Sequence, residues 1–362
     1  MQKILFICYS QKEKNNKNNI MPTSADVRCT MFAKHLSTSG FNTEVLNFNK
    51  YEKGIGIIAT ITRAIGGFFR LLKEPKHTIF YQQKPGLAGF ITWLVCNIKK
   101  HKLILDIDDY EFKSGFGKFT LQRLLNKCNF IICASDFLCN ITKSKTNKHV
   151  YYIPGGVETK DIFPILKTSK NNKPTNKEDS AVKLLWLGNI NQEASLNLIK
   201  VLDLFKEIRK KDKNISLDIR GDGTHQNIIE NKIKTETITG VKIIGRQKDF
   251  NNYLATTDIG INYLFDNFYD KSKNPGKTYT YLAAGLPIIG TNIGENKKAI
   301  THNKNGFLVD DDEQFVEYTL KLAKSSKIRQ EFGKKSRKIA LQDFDRMKIV
   351  KNLAKILKTE LK

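Results

Sequence analysis

The stretch Asn274-Pro275-Gly276-Lys277-Thr278-Tyr279-Thr280-Tyr281-Leu282-Ala283-Ala284-Gly285-Leu286-Pro287-Ile288-Ile289 decides how the chain is read. A polar loop with a proline opens a helix, Gly285 closes it, and an apolar strand starts within three residues. Lys277 falls in the first helical turn, where backbone N–H groups lack intrahelical acceptors. A cation beside such groups suits a phosphate.

Working outward, the pattern on either side alternates short apolar runs with helical ones. Apolar runs recur at 183–188, 215–220, 241–244, 259–263 and 287–290, and an independent series occupies 3–9, 43–48, 78–82, 103–107, 130–134 and 150–153. Alternation of this kind predicts α/β domains with parallel, doubly wound sheets whose ligand crevices lie at the carboxyl ends of the strands. The segment 166–181 is polar, carries one proline and has no apolar period, so it reads as a linker. The expected division is a first Rossmann-like domain over 1–165, the linker 166–181, and a second domain over 182–344. A chain of 362 residues accommodates two such cores.

Lysine and arginine total 61 against 36 acidic residues, a net charge of +25. The excess is spread along the chain, and two readings stay open: attraction for phosphorylated or membrane-borne anions, or a compositional bias without function. No zinc-finger, helix-turn-helix or RNP-like pattern accompanies it, so nucleic acid is not an expected partner. The six cysteines, Cys8, Cys29, Cys96, Cys128, Cys133 and Cys139, lack metal-ligand spacing and read as reduced core thiols of a cytoplasmic protein. The opening apolar run is too short for a signal peptide, and the run at 87–98 is too short to span a bilayer.

The order of these features resembles the donor half of retaining, family-4-like GT-B glycosyltransferases (glycosyl transferases group 1). Lys277 to Pro287 is similar to their pattern G-x-K-x-x-x-Y-M-A-x-G-x-P. The resemblance implies a GT-B fold, two Rossmann-like doubly wound domains facing across a cleft, with a C-terminal helix at 345–362 crossing back to the first domain. It implies a nucleotide-diphosphate sugar as donor, a saccharide or lipid-linked saccharide as acceptor, and no metal or other cofactor. Fixed cations and helix N-termini would then stabilise the departing diphosphate. Donor-binding residues carried over on this basis are Gly188, Asn189, Arg220, Gly245, Arg246, Asn274, Gly276, Lys277 and Thr280, with Lys277 as the catalytic cation and Lys273 as a further candidate.

The sequence departs from the family in two places. Thr280 and Ser272 stand where many members carry a pair of glutamates, and Asn189 replaces the arginine that usually follows Gly188. A threonine hydroxyl retains hydrogen-bonding capacity toward a sugar. Fewer cations remain, which places more of the diphosphate charge on Lys277.

On the acceptor side, Asp106-Ile107-Asp108-Asp109 ends an apolar run. Asp108 takes the place of the family's histidine, and Asp108 and Asp109 are the catalytic acids expected to orient or deprotonate an acceptor hydroxyl. A helix N-cap with a solvated acid, and an Asp-x-Asp metal site, are the alternatives. Arg28 reads either as a further cation at the site or as a surface residue. The segment 54–73 joins Ile57, Ile58, Ile61, Ile65 and Phe69 to Arg63, Arg70 and Lys73, a pattern shared by Rossmann core helices and by basic helices on an anionic membrane surface. Transfer of a sugar in cell-surface polysaccharide or glycoconjugate synthesis, at the inner face of the cytoplasmic membrane, is the expected function. A sugar-nucleotide epimerase, a non-catalytic sugar-binding relative and a basic nucleic-acid-binding protein are the competing readings.

Overall fold

The computed structural model describes residues 2–9, 23–51, 56–112, 115–162, 164, 181–245 and 250–361. The loop 10–22, positions 54 and 55, Arg246 and all but the last residue of the expected linker 166–181 lie outside the described residues.

In the first half, β1 (Lys3–Cys8) leads to a π-helical turn (Asp26–Met31) that runs into α1 (Phe32–Ser37). There follow β2 (Asn42–Asn47), a 3₁₀ turn (Phe48–Tyr51), α2 (Gly56–Leu72), β3 (Ile79–Gln83), α3 (Gly86–Lys99), β4 (Leu103–Ile107), α4 (Phe116–Lys127), β5 (Phe130–Cys133), α5 (Asp136–Lys143) and β6 (Val150–Tyr152). The second half comprises β7 (Val182–Leu187), α6 (Gln192–Lys211), β8 (Ile215–Arg220), α7 (Gln226–Thr235), β9 (Val241–Ile244), α8 (Phe250–Ala255), β10 (Ile259–Asn262), α9 (Phe268–Ser272) and α10 (Gly276–Ala284). It closes with β11 (Ile288–Thr291), α11 (Asn296–Ala299), β12 (Gly306–Val309), α12 (Asp312–Lys324), α13 (Ser326–Asp343) and α14 (Arg346–Glu360).

Each half builds a six-stranded sheet, ordered β2-β1-β3-β4-β5-β6 and β12-β11-β10-β7-β8-β9. Every pairing is parallel. Helices cover both faces, so strands such as Ile4 to Ile7 and Leu184 to Leu187 are buried without alternation. Strand order reverses between β1 and β3 in the first sheet and between β7 and β10 in the second, the places where a doubly wound sheet opens a crevice at its carboxyl edge.

The helix α14 follows the whole second sheet in sequence yet packs on the first: its Ile349, Val350, Leu353 and Leu357, with Leu361 just beyond it, join a core with Phe6, Phe32, Tyr81 and Phe130. The chain therefore crosses between the halves twice, and the crossings are tied together. Val157 N–H donates to Phe344 O at 2.9 Å and Arg346 N–H to Val157 O at 3.0 Å. The buried Arg346 guanidinium adds bonds to Gly155 O and Gly156 O at 3.0 and 2.8 Å.

Candidate functional site in the cleft between the sheets

Loops at the carboxyl ends of the two sheets meet. Tyr110, beyond β4, stacks on Phe268 of α9 with ring centroids 5.2 Å apart. Gly155 N–H, beyond β6, donates to Asn274 Oδ1 at 3.3 Å. Glu295, just before α11, is 2% exposed; it accepts from Asp136 N–H at 2.8 Å and from the Tyr152 hydroxyl at 2.6 Å. Burial raises its carboxyl above the usual range.

On the second-sheet side, α10 begins at Gly276 after Pro275 and stops at Gly285, whose φ of +73° is a left-handed conformation suited to glycine. Tyr281 locks this helix to β7: its hydroxyl accepts from Leu187 N–H and donates to Leu185 O, both at 2.9 Å. Beneath the first turn, Asn262 Nδ2 donates to Thr278 Oγ1 at 2.9 Å and Asn296 Oδ1 at 2.8 Å. Gly188 and Gly221 bring two loops into contact, since a Cβ at Gly221 would lie 1.8 Å from Gly188 O.

Lys277 extends over the buried Trp186 ring, its Nζ 4.1 Å from the ring centroid. It forms no ion pair among the described residues. Burial, reinforced by neighbouring Lys273 and opposed by Asp270, pushes its ammonium down to about 7. Lys273 lies over Tyr269 at 3.9 Å and 3.6 Å from Asp270 Oδ1, and burial lowers it too. Two ammonium groups thus share a desolvated corner at the start of α10, an arrangement that favours an incoming anion.

The other donor-side residues are distributed around this corner. Asn189 is exposed beyond β7, and Gly276 is exposed at the helix start. Asn274 is engaged with the first half through Gly155. Thr280 donates its hydroxyl proton to Gly276 O at 3.0 Å, so toward a ligand it offers only oxygen lone pairs. Arg220 ends β8 at 2% exposure, with its guanidinium over the rings of Phe250 and Tyr253 at 5.1 and 4.6 Å. Gly245 is exposed after β9, at the sheet edge two strands from β7.

Across the cleft, three aspartates near the end of β4 have different partners. Asp106, fully buried, receives Arg28 Nε at 2.8 Å and Nη2 at 2.5 Å, plus the Tyr81 hydroxyl at 2.5 Å. Arg28 is therefore neither a surface residue nor a cleft cation, and with both oxygens of Asp106 committed the Asp-x-Asp metal reading fails. No helix starts between β4 and α4 among the described residues, which removes the N-cap reading as well. Asp108, 4% exposed, takes the Ser24 hydroxyl and, at 3.1 Å, Gln83 Nε2 on Oδ2. Its buried Oδ1 has no hydrogen-bond donor among the described residues and lies 3.8 Å from Lys84 Nζ. Asp109 pairs with Lys84; desolvation raises its carboxyl against the pull of Lys84 and Lys273.

Trp186, Lys84, Ser24, Gln83, Tyr152 and Glu295 escaped the sequence-based site. Lys84 adopts φ +61°, which turns its side chain back onto the aspartates, and nothing in the local sequence announces it. Trp186 had a signal, an aromatic two residues before the glycine that ends β7.

A family model described as "Glycosyl transferases group 1" matches residues 181–325. The putative teichuronic acid biosynthesis glycosyltransferase TuaH of Bacillus subtilis is 25% identical over 195 residues, 52% of this chain and 46% of that protein. Spore coat protein SA of Bacillus subtilis is 38% identical over 81 residues, 22% of each chain. The chain thus spans less than half the length of the curated relatives it matches. Among solved structures, sucrose-phosphate synthase from Thermosynechococcus elongatus superposes with a TM-score of 0.78 at 11% identity, covering 99% of both chains. Anabaena HepE in complex with UDP and glucose gives 0.74 at 14% identity, covering 99% of this chain and 100% of that one. These superpositions identify the fold as GT-B.

Proposed function

We propose, from the match of residues 181–325 to the group 1 glycosyl transferase model and from the GT-B fold, that the chain transfers a sugar from a nucleotide-diphosphate donor to a saccharide or lipid-linked saccharide in cell-surface polysaccharide or glycoconjugate synthesis. The observation that carries the proposal is Lys277, an ammonium without an ion pair among the described residues, desolvated over Trp186 at the start of a helix beside the strand-order reversal. The teichuronic acid relationship of TuaH supports the cell-surface assignment, and the UDP and glucose bound to HepE support a nucleotide sugar as donor.

In this reading Lys277 and Lys273, with the N–H groups of the first turn of α10, receive the diphosphate and stabilise the charge that grows on it as the sugar leaves. The transfer proceeds with retention and without a metal, the diphosphate itself drawing the acceptor proton on the same face. Asp108 and Asp109 are the acids proposed for the acceptor: Ser24 and Gln83 hold Oδ2 of Asp108, whose Oδ1 is buried 3.8 Å from Lys84 Nζ, and Asp109 beside it presents a 38% exposed side chain. No helix among the described residues is long and apolar enough to cross a membrane, and six buried free thiols support a cytoplasmic location.

The test is a thermal-shift panel of nucleotides and nucleotide sugars, followed by release of nucleoside diphosphate with and without oligosaccharide acceptors. A nucleoside diphosphate should raise the melting temperature by mass action, and Lys277→Ala should abolish the rise. Diphosphates that leave the melting temperature unchanged, or a variant that responds as well as wild type, would reject the assignment.

A further inference from the structure

We propose that the outer face formed by α2, α3 and α4 docks the protein on an anionic phospholipid bilayer. The proposal deepens the proposed function by giving a lipid-linked acceptor its surface, but the physical case for the surface does not depend on the transfer reaction.

On α2 the side chains of Ile57, Ile58, Ile61, Ile65 and Phe69 are 50% to 78% exposed. At 3.6 residues per turn they fall within an arc of ~120° and run for ~18 Å, one continuous ridge. The core does not account for this ridge. Ala59, Gly67 and Leu71 supply the buried side of the helix, with Gly67 so close that a Cβ there would lie 2.3 Å from the Phe48 ring.

The apolar surface continues sideways. α3 packs between α2 and α4, and half-buried Phe90 touches both exposed rings of α4, Phe116 and Phe119, at 5.6 and 6.3 Å between centroids. A monomer rarely leaves this much large apolar side-chain surface uncovered without a partner.

Charge identifies the partner. α2, α3 and α4 contain no aspartate or glutamate; Arg70 of α2 is paired with Glu44 and Glu74 from neighbouring segments, and the face also carries Arg63 of α2, Lys99 of α3, and Lys118, Arg123 and Lys127 of α4. Beside Phe119, a depression of about 440 Å³ lined by Trp93, Asn97, Arg123, Asn126 and Lys127 offers two cations to a phosphate headgroup. A second copy of the chain would set +25 against +25, so repulsion opposes self-association where it would draw the face to an anionic leaflet. An exposed apolar ridge on acid-free helices that also carry cations is the composition of helices that lie in the membrane interface.

The experiment is co-sedimentation of the full chain with vesicles of phosphatidylcholine alone and of an equimolar mixture with phosphatidylglycerol. Binding is expected to the mixed vesicles, to weaken with salt, and to be at least ~10-fold tighter than to the neutral ones. Ile61→Glu combined with Ile65→Glu should weaken it by at least ~10-fold, through lost apolar insertion and added repulsion. Lys242→Glu, an exposed change in β9 with the same shift in net charge, should leave most of the binding. The double variant should retain the thermal shift given by UDP, which separates loss of the surface from failure of the nucleotide site. Equal loss in both variants would reduce the effect to overall charge and overturn the proposal. So would absence of binding to mixed vesicles, or a wild-type dimer that the double variant converts to monomer without any vesicle binding.

Discussion

The carboxyl edges of the two sheets share a topology and differ in electrostatics. At the first, every aspartate near the end of β4 has a donor or cation beside it: Arg28 for Asp106, Ser24 and Gln83 for Asp108, Lys84 for Asp109. At the second, Lys277 and Lys273 are crowded together and pushed toward neutrality by burial. The first edge is internally compensated, so it can hold a neutral hydroxyl without reorganising. At the second, Asp270 compensates Lys273 only in part and Lys277 has no ion pair among the described residues, so an incoming anion would relieve the remaining positive charge there more than at the first.

If this contrast governs the chemistry, the largest effect belongs to Lys277. Lys277→Ala should lower acceptor-dependent nucleoside diphosphate release by about 1,000-fold, the scale of losing a preorganised charge at the leaving group. Its effect on binding should appear in titrations with a nucleoside diphosphate, and a variant with near-normal turnover would break the contrast. Asp108→Asn should cost about 100-fold in turnover with acceptor and leave diphosphate affinity unchanged in calorimetry. Equal losses of affinity at the two positions would mean that the edges are not separate.

Glu295 joins the edges. Glu295→Ala leaves the Asp136 N–H and Tyr152 hydroxyl without their acceptor and should cost about 1–3 kcal/mol, read from denaturant unfolding. An unchanged midpoint would show that the contact contributes nothing to holding the halves together.

The smallest effect sharpens the contrast most. With Lys277 near 7 in the free protein, a bound diphosphate favours its charged form, so binding at mildly alkaline pH should take up a fraction of a proton. Affinity should therefore be highest on the acid side of that value and decline as pH rises through it. Calorimetry in buffers of different ionisation enthalpy measures the uptake. It should vanish in Lys277→Arg, whose guanidinium stays charged throughout.

Legibility in the sequence followed contact distance along the chain. The corner at α10 could be read because its loop, cation, helix and terminating glycine occupy 274–285, where propensity and capping rules act locally. The two sheets could be read from their apolar runs for the same reason. Arg28 could not, since its partner lies 78 residues away and an arginine beside a helix start looks alike whether buried or solvated. Lys84 was lost to a backbone conformation that lysine seldom adopts. Thr280 was legible as a residue but not in its use, because only the helix geometry shows its proton spent on Gly276 O. The ridge on α2 read equally well as core, and the choice between core and exposed face required knowing that the glycine side meets Phe48.

The paired crossings at Val157 and Phe344 to Arg346 have a mechanical consequence. One tether would let two lobes swivel freely; two tethers stitched side by side by Val157 resist torsion and leave bending about their shared line as the soft mode. Any opening between the halves is then expected as a scissor motion with a single coordinate, and a fluorophore pair spanning the mouth of the scissors should report one distance distribution that narrows when a nucleoside diphosphate is added.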